Sequence, residues 1–379
     1  MNVLLRSSLL VLLSAGCTDR SVTPAQDAED RIPLGLDGLD AVPGDGLIEE
    51  ATGEAIFELG RRLFYDTRLS ANDTISCASC HEQRFAFADD RELSIGFDGG
   101  ETGRNSMGLT NTRFYRSGEM FWDHRAKDLQ TQVLMPIQDS VEMGLDLDEL
   151  VAVVSEAEDY PPLFESAFGD VDVDDERIAE GLSAFVRGIV SFGSAYDEGL
   201  EVTVDPLRPF YTFTQSENLG KDLFFGRAGC GACHVAGARP PGPPGAPPQD
   251  AAAAQIFFMA APANNGLDAS TTDPGFAAVT GLRTDEGKMK SPSLRNVEVT
   301  GPYMHDGRFE TLADVVRHYD RGVQAHPNLD PRLRAGGPSG PPRRLGLSPM
   351  EAGALVDFLE TLTDHELLDR PELSDPFGG

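Results

Sequence analysis

Two short segments carry the same five-residue pattern, Cys77-Ala78-Ser79-Cys80-His81 and Cys230-Gly231-Ala232-Cys233-His234. Two thiols three positions apart, followed at once by an imidazole, suit covalent attachment of one haem: each sulfur can bond a vinyl group, and the histidine reaches the iron from one face. A zinc site would need further Cys or His at knuckle spacing, and a thioredoxin-like redox pair has no use for the histidine. Four of the five cysteines are used in this way, which leaves nothing for a disulfide framework; the fifth is Cys17. His81 and His234 are therefore the expected proximal iron ligands of two covalently bound c-type haems.

The same lead-in precedes both motifs: Leu59-Gly60-Arg61-Arg62-Leu63-Phe64 and Leu219-Gly220-Lys221-Asp222-Leu223-Phe224. The Leu and Phe positions recur at helical spacing, which predicts two related modules, each a short helix running into a haem motif. Residues 176–193 place Ile178, Leu182, Phe185 and Ile189 at helical spacing, and residues 349–363 do the same with Leu355, Phe358, Leu359 and Leu362. Thr311 is placed to cap a helix with Asp314 in the capping-box position. Alternating strand runs are few, and the Pro/Gly-rich stretches 240–248 and 336–342 read as surface loops. The fold class expected is mainly α: two cytochrome c-like haem domains with long loops, in which the haem itself supplies apolar core. The N-terminal domain is expected over 47–208 and the C-terminal domain over 209–379, with the boundary near 203–214.

The chain has 379 residues, with 31 Lys+Arg against 62 Asp+Glu and a formal charge of −31. A field of that sign repels nucleic acid and anionic headgroups. It attracts a small cationic electron carrier, or simply keeps an exported protein soluble. Arg6, a short apolar run over 9–13 and the small residues Ser14-Ala15-Gly16 before Cys17 describe an export signal over 1–17. They resemble the lipobox of bacterial lipoproteins, with Ser14 where Leu is usual. A periplasmic or cell-envelope protein, lipid-anchored through Cys17 and followed by a linker over 18–46, is expected; plain signal cleavage is the alternative. No other stretch is long and apolar enough to span a bilayer.

From Leu59 to Phe377 the chain resembles the bacterial dihaem cytochrome c peroxidase family, which includes the MauG-like enzymes. The likeness rests on Leu63-Phe64-Tyr65-Asp66, both haem motifs, Arg104-Asn105-Ser106, Phe121-Trp122-Asp123-His124-Arg125-Ala126 and Pro136-Ile137-Gln138-Asp139-Ser140-Val141-Glu142-Met143. It continues through Pro292-Ser293-Leu294-Arg295-Asn296 and Pro302-Tyr303-Met304-His305-Asp306-Gly307. The resemblance implies that Glu142 is the distal acid–base carboxylate, its pKa raised by burial beside the haem. It puts Gln132 in the distal pocket as a hydrogen-bonding partner for peroxide, Pro136 along the open haem face, and Trp122 between the haems as an electron relay. It also implies one Ca²⁺ between the domains, with Asn105 as side-chain ligand and Thr300 and Pro302 as carbonyl ligands. Family peroxidases are often homodimers, so a homodimer is one expected assembly, although the sequence shows no interface.

Two positions depart from the well-known peroxidases. Where many carry Ser-Ile-Gly-His, with a histidine that blocks the peroxidatic iron, this chain reads Ser94-Ile95-Gly96-Phe97. Phenylalanine cannot ligate iron, so the first haem is expected to stay open. Where those peroxidases use a distal methionine on the second haem, this chain has Tyr319, as MauG-like enzymes do, with His318 as a rival ligand and His305 nearby in support. A phenolate lowers the iron potential relative to a thioether. The leading expectation is a peroxidase that reduces hydrogen peroxide at the N-terminal haem, with electrons relayed from the C-terminal haem and supplied by a small donor protein (a cytochrome c or a cupredoxin). One alternative is a MauG-like oxidant that modifies a side chain on a partner protein. Another is a non-enzymatic electron carrier, which Phe97 disfavours.

Overall fold

The computed structural model describes residues 50–115, 118–203, 205–234 and 256–378. The export signal, the linker, Cys17 and the 240–248 loop lie outside the described residues. What is described is mostly helical, as expected, with one short antiparallel pair of strands, β1 (Met259–Ala263) and β2 (Met289–Ser291). No described helix is long and apolar enough to cross a membrane.

The helical lead-in of the first motif is α1 (Glu50–Tyr65), and it runs into a turn that carries Cys77 and Cys80. It is followed by α2 (Leu129–Gln138), α3 (Leu147–Glu156), α4 (Pro161–Phe168), α5 (Asp175–Gly188) and α6 (Ala195–Thr203). Asp128, Asp146 and Asp174 start α2, α3 and α5 by accepting backbone N–H groups that the first turn leaves unpaired. The second lead-in is α7 (Gln215–Phe225), whose Thr214/Glu217 pair closes a capping box. After the strands come the one-turn α8 (Ala277–Thr280), α9 (Leu312–Arg317) and α10 (Pro349–Glu360). Thr311 caps α9 as its sequence position predicts. The helices expected over 176–193 and 349–363 end earlier, at Gly188 and Glu360, so Ile189 and Leu362 pack into the core from just beyond their helices. The 336–342 segment is irregular, as predicted.

The repeat in the sequence is a repeat in packing. Gly60 on α1 lies flat against the Gly181 carbonyl of α5, and Gly220 on α7 lies flat against the Ala354 carbonyl of α10. In both places a methyl group would sit inside contact distance of a backbone oxygen, so only glycine lets the helices cross so closely. Two apolar clusters follow these crossings. One is built around Leu59, Leu63, Phe64, Ile178, Leu182 and Phe185. The other is built around Tyr196, Leu223, Phe224, Leu355 and Phe358. Each fully buried Leu, Ile or Phe contributes about 1.5–3 kcal/mol relative to exposure. The C-terminal tail returns to the first cluster through Leu367 and Leu373, and the Gln83 amide and Tyr65 hydroxyl tie it down through its backbone carbonyls.

Candidate haem sites and the turn between them

Both Cys-x-x-Cys-His segments fold into the same tight turn. The amide of His81 donates to the Cys77 carbonyl at 3.0 Å, and that of His234 to the Cys230 carbonyl at 2.9 Å. This brings each pair of thiols and its imidazole to one side of the chain. The imidazoles are oriented alike: His81 Nδ1 lies 2.8 Å from the Phe87 carbonyl and His234 Nδ1 lies 3.1 Å from the Phe257 carbonyl. A carbonyl can only accept, so Nδ1 carries the proton and Nε2 keeps its lone pair for a metal, the arrangement that fixes haem-ligating histidines. Burial keeps both rings neutral; His234 is drawn down to about 4. All four described cysteines are free thiols. Burial pushes Cys77 and Cys230 up to about 12 and Cys80 to about 11. Reactive redox pairs need the opposite shift, so these thiols do not suit redox exchange. They suit thioether bonding in an apolar setting.

The second motif opens into a large cavity. Cys230, Cys233, His234, Leu312, Val316, Tyr319, Leu355 and Leu359 line it. An apolar cradle with two thiols, an imidazole and a phenol fits a c-type haem, which Cys230, Cys233, His234 and Tyr319 would hold. Tyr319 comes from a π-turn, His318–Gly322, that interrupts the end of α9. Its phenol is buried and held up at about 12, first by desolvation and then by the nearby Cys233. The rival His318 points elsewhere: its Nε2 meets the Asn265 carbonyl at 3.2 Å and its ring packs on Phe309.

At the first motif Glu142 is the neighbour that matters. Burial first, with the charge of Glu142 among the lesser causes, pushes both Cys77 and Cys80 up. The pKa of Glu142 itself is raised, chiefly by burial and then by Asp139, with Arg125 opposing. The Phe97 loop lies against it: a methyl group on Gly96 would run into the Val141 carbonyl, and the Phe97 amide donates to the Glu142 carbonyl at 3.0 Å. The Phe97 ring packs on Gly144. Gln132 and Pro136 lie one turn apart on α2. Because proline has no N–H, the Gln132 carbonyl loses its helical partner.

Trp122 reaches the second cavity's lining together with Asn105, Thr300, Pro302 and His305. Its indole N–H donates to the Asn105 carbonyl at 2.8 Å, and its ring meets His305 edge-on at 6.4 Å between centroids. Asn105 is buried; its amide donates to the Arg91 and Glu92 carbonyls, which turns the side-chain oxygen away from them. The structure thus brings together the residues read as electron relay and as calcium ligands.

The turns that present Trp122 and His305 are copies of one another, a relation missing from the sequence reading. Met120 bridges to Ala126 and Tyr303 bridges to Phe309. Phe121 and His124 in one turn, and Met304 and Gly307 in the other, have positive φ. In each, Asp123 or Asp306 accepts from the amide two residues on, that of Arg125 or Arg308. The halves also cross-pair: the Lys290 amide donates to the Trp122 carbonyl at 2.7 Å, and the Asn105 amide to the His305 carbonyl at 2.9 Å. The sequence signal was the shared spacing of Trp122-Asp123-His124-Arg125 and His305-Asp306-Gly307-Arg308. Arg104 adds an ion-pair link between the halves, to Asp123 at 2.6 Å and to Asp273 at 2.8 Å.

A family model described as di-haem cytochrome c peroxidase matches residues 54–204. The chain is 34% identical over 378 residues to the methylamine utilization protein MauG of Paracoccus denitrificans, covering 85% of this chain and 92% of that protein. It is 33% identical over 264 residues to the cytochrome c551 peroxidase of Nitrosomonas europaea, covering 70% of this chain and 72% of that one. Among solved structures, a MauG-like protein associated with microbial copper homeostasis superposes with a TM-score of 0.70 at 34% identity, covering 86% of this chain and 94% of that one. The diheme peroxidase BthA from Burkholderia thailandensis shares the fold, with a TM-score of 0.65 at 23% identity and coverage of 84% and 89%.

Proposed function

The chain belongs to the di-haem cytochrome c peroxidase family, an oxidoreductase family with two c-type haems, and we propose that it reduces hydrogen peroxide at the haem held by Cys77, Cys80 and His81, with electrons relayed from the haem held by Cys230, Cys233, His234 and Tyr319. The two haem domains span 47–208 and 209–379. When bound, the first haem supplies the redox centre at which the peroxide O–O bond breaks. The observation that carries the assignment is Glu142, a half-buried carboxylate with a raised pKa whose charge acts on both thiols of the first motif.

The chain's own residues divide the remaining work. Peroxide must lose a proton from one oxygen and gain one on the other, and Glu142 serves both needs because its raised pKa brings it nearer the working pH. The Gln132 carboxamide orients the peroxide by hydrogen bonding. Phe97 offers no ligand atom, so the pocket stays open whatever the redox state. Trp122 carries electrons between the halves; its N–H is held by a main-chain carbonyl, which is no base, so it relays without giving up its proton. Asn105, Thr300 and Pro302 would hold a Ca²⁺, for which oxygen-only ligation suits a hard cation. The partners are peroxide and a small cationic donor protein drawn by the acidic surface. The protein is exported to the periplasm or cell envelope, anchored through Cys17.

A second reading has its own support: Tyr319 faces the second cavity, and a phenolate ligand disfavours a high-potential entry port for electrons. This MauG-like reading sends oxidising equivalents outward to a side chain on a partner protein.

Low-temperature EPR of the as-isolated diferric protein, before and after one equivalent of peroxide, tests the proposal. One high-spin and one low-spin signal, both lost promptly with peroxide, are expected. Two low-spin signals indifferent to peroxide would overturn it in favour of an electron carrier.

A further inference from the structure

Lys290 is nearly fully buried, yet neither the haem attachment nor the peroxide pocket uses it. It fastens the Trp122 turn at two points. Its amide donates to the Trp122 carbonyl at 2.7 Å, and its ammonium donates to the Glu119 carbonyl at 2.9 Å. The ammonium also stands 4.2 Å from the centre of the Tyr115 ring, which stacks on Phe258 with centroids 4.3 Å apart.

The internal repeat says what this position is for. Lys290 pairs with the Trp122 turn as Asn105 pairs with the His305 turn. Within the two copied turns, Glu119 stands just before Met120 as Pro302 stands just before Tyr303. The Lys290 ammonium on the Glu119 carbonyl therefore occupies the place that, in the other half, lies beside Asn105 and the Pro302 carbonyl, where the proposed Ca²⁺ would sit. In this half the positive charge at that point is tethered to the chain.

We propose that Lys290 is a positioning and specificity-determining residue for the electron relay: it locks the Trp122 turn and, by holding its charge over the Tyr115 ring, keeps oxidation on Trp122 and off Tyr115. This rests on the peroxidase reading above. A cation on the face of an aromatic ring is attracted to its π-electrons, and removing an electron from that ring forfeits the attraction. Tyr115 is further handicapped because its phenol oxygen faces the Ser293 amide, a donor rather than a base, and burial holds the phenol at about 12. Reducing one peroxide to two waters takes two electrons and two protons. Tyr115 could supply one electron only by also releasing its phenol proton, whereas Trp122 keeps its N–H on the Asn105 carbonyl.

The test adds peroxide to the holoprotein without a donor and maps oxidised residues by peptide mass spectrometry. Lys290→Met and Lys290→Arg are compared with the parent. Burial draws the ammonium down to about 7 against the pull of Glu119, so the reaction is run at about pH 6, where the side chain is charged. Ultraviolet resonance Raman of Trp122, the sole tryptophan, reports whether the turn has moved. Lys290→Met is expected to raise Tyr115 oxidation about tenfold, Lys290→Arg to hold it at the parent level, and Tyr115→Phe in the Met background to remove it. Equal Tyr115 oxidation in the parent and Lys290→Met, or an equal rise in Lys290→Arg, would overturn the proposal while the haem spectra still respond to peroxide. Haem spectra indifferent to peroxide in the parent would overturn both the peroxidase reading and this proposal.

Discussion

The main-chain N–H of Phe97 donates to the carbonyl of Glu142 at 3.0 Å. The Phe97 loop is here stitched to the loop that carries the proposed acid–base carboxylate. Its side chain packs on Gly144 and offers no ligand atom. One main-chain contact thus ties the Phe97 loop to the Glu142 loop.

Replacing the carboxylate removes the proton shuttle while leaving the shape. Glu142→Gln is expected to lower kcat/KM for peroxide by about 10²–10⁴-fold, with the absorption spectrum of the resting haems unchanged. Stopped-flow peroxide kinetics measure this; a loss below about threefold would show that proton transfer there is not limiting.

Glu142 also sets a pH dependence. Burial raises its pKa and Arg125 lowers it. A step that needs the carboxylate as base slows as pH falls through that raised pKa, so the acid limb of the rate profile lies above the ordinary glutamate value. Arg125→Leu is expected to move the limb further up. For stability the sign is reversed: a raised folded pKa stabilises below the unfolded pKa and is lost as pH rises through the folded pKa. Glu142→Gln should therefore raise Tm at neutral pH and leave it unchanged in acid, as a thermal melt series would show.

The second cavity separates Tyr319 from His318. Tyr319→Phe is expected to convert the low-spin ferric signal of the second haem to high-spin. His318→Ala should leave the spin state alone and cost about 1–3 kcal/mol through the lost contact with the Asn265 carbonyl and the void left behind. EPR and chemical denaturation report the two effects independently.

The crossing glycines should behave as a matched pair. Gly60→Ala and Gly220→Ala each push a methyl group onto a backbone carbonyl. Each is expected to cost about 3 kcal/mol or more, at the upper end for overpacking. Measured haem content per chain and Tm should fall in both.

Removing a bound Ca²⁺ should be felt at Trp122, because Asn105 supplies both the proposed calcium ligand and the carbonyl that holds the indole N–H. Treatment with EGTA is expected to shift the Trp122 Raman bands and slow electron exchange between the haems, with recovery on adding Ca²⁺. Unchanged bands would dissociate the metal from the relay.

The two Cys-x-x-Cys-His turns, the doubled helical lead-in and the mainly α class were legible in the amino-acid order alone. Each is a local pattern: thiol spacing and helical periodicity are readable without knowing what lies opposite. Helix ends were less legible, since Ile189 and Leu362 continue the apolar rhythm while the backbone has already turned. Which side chains meet across long separations in the chain emerged with the folded structure. It turned Tyr319 rather than His318 toward the second cavity, through a π-turn that leaves no trace in the apolar pattern. It set Phe97 beside Glu142 and cross-paired Lys290 with the Trp122 turn and Asn105 with the His305 turn. Those contacts run through main-chain N–H and C=O groups, which every residue carries, so no choice of side chain announces them; the folded path of the backbone alone brings them within hydrogen-bonding distance.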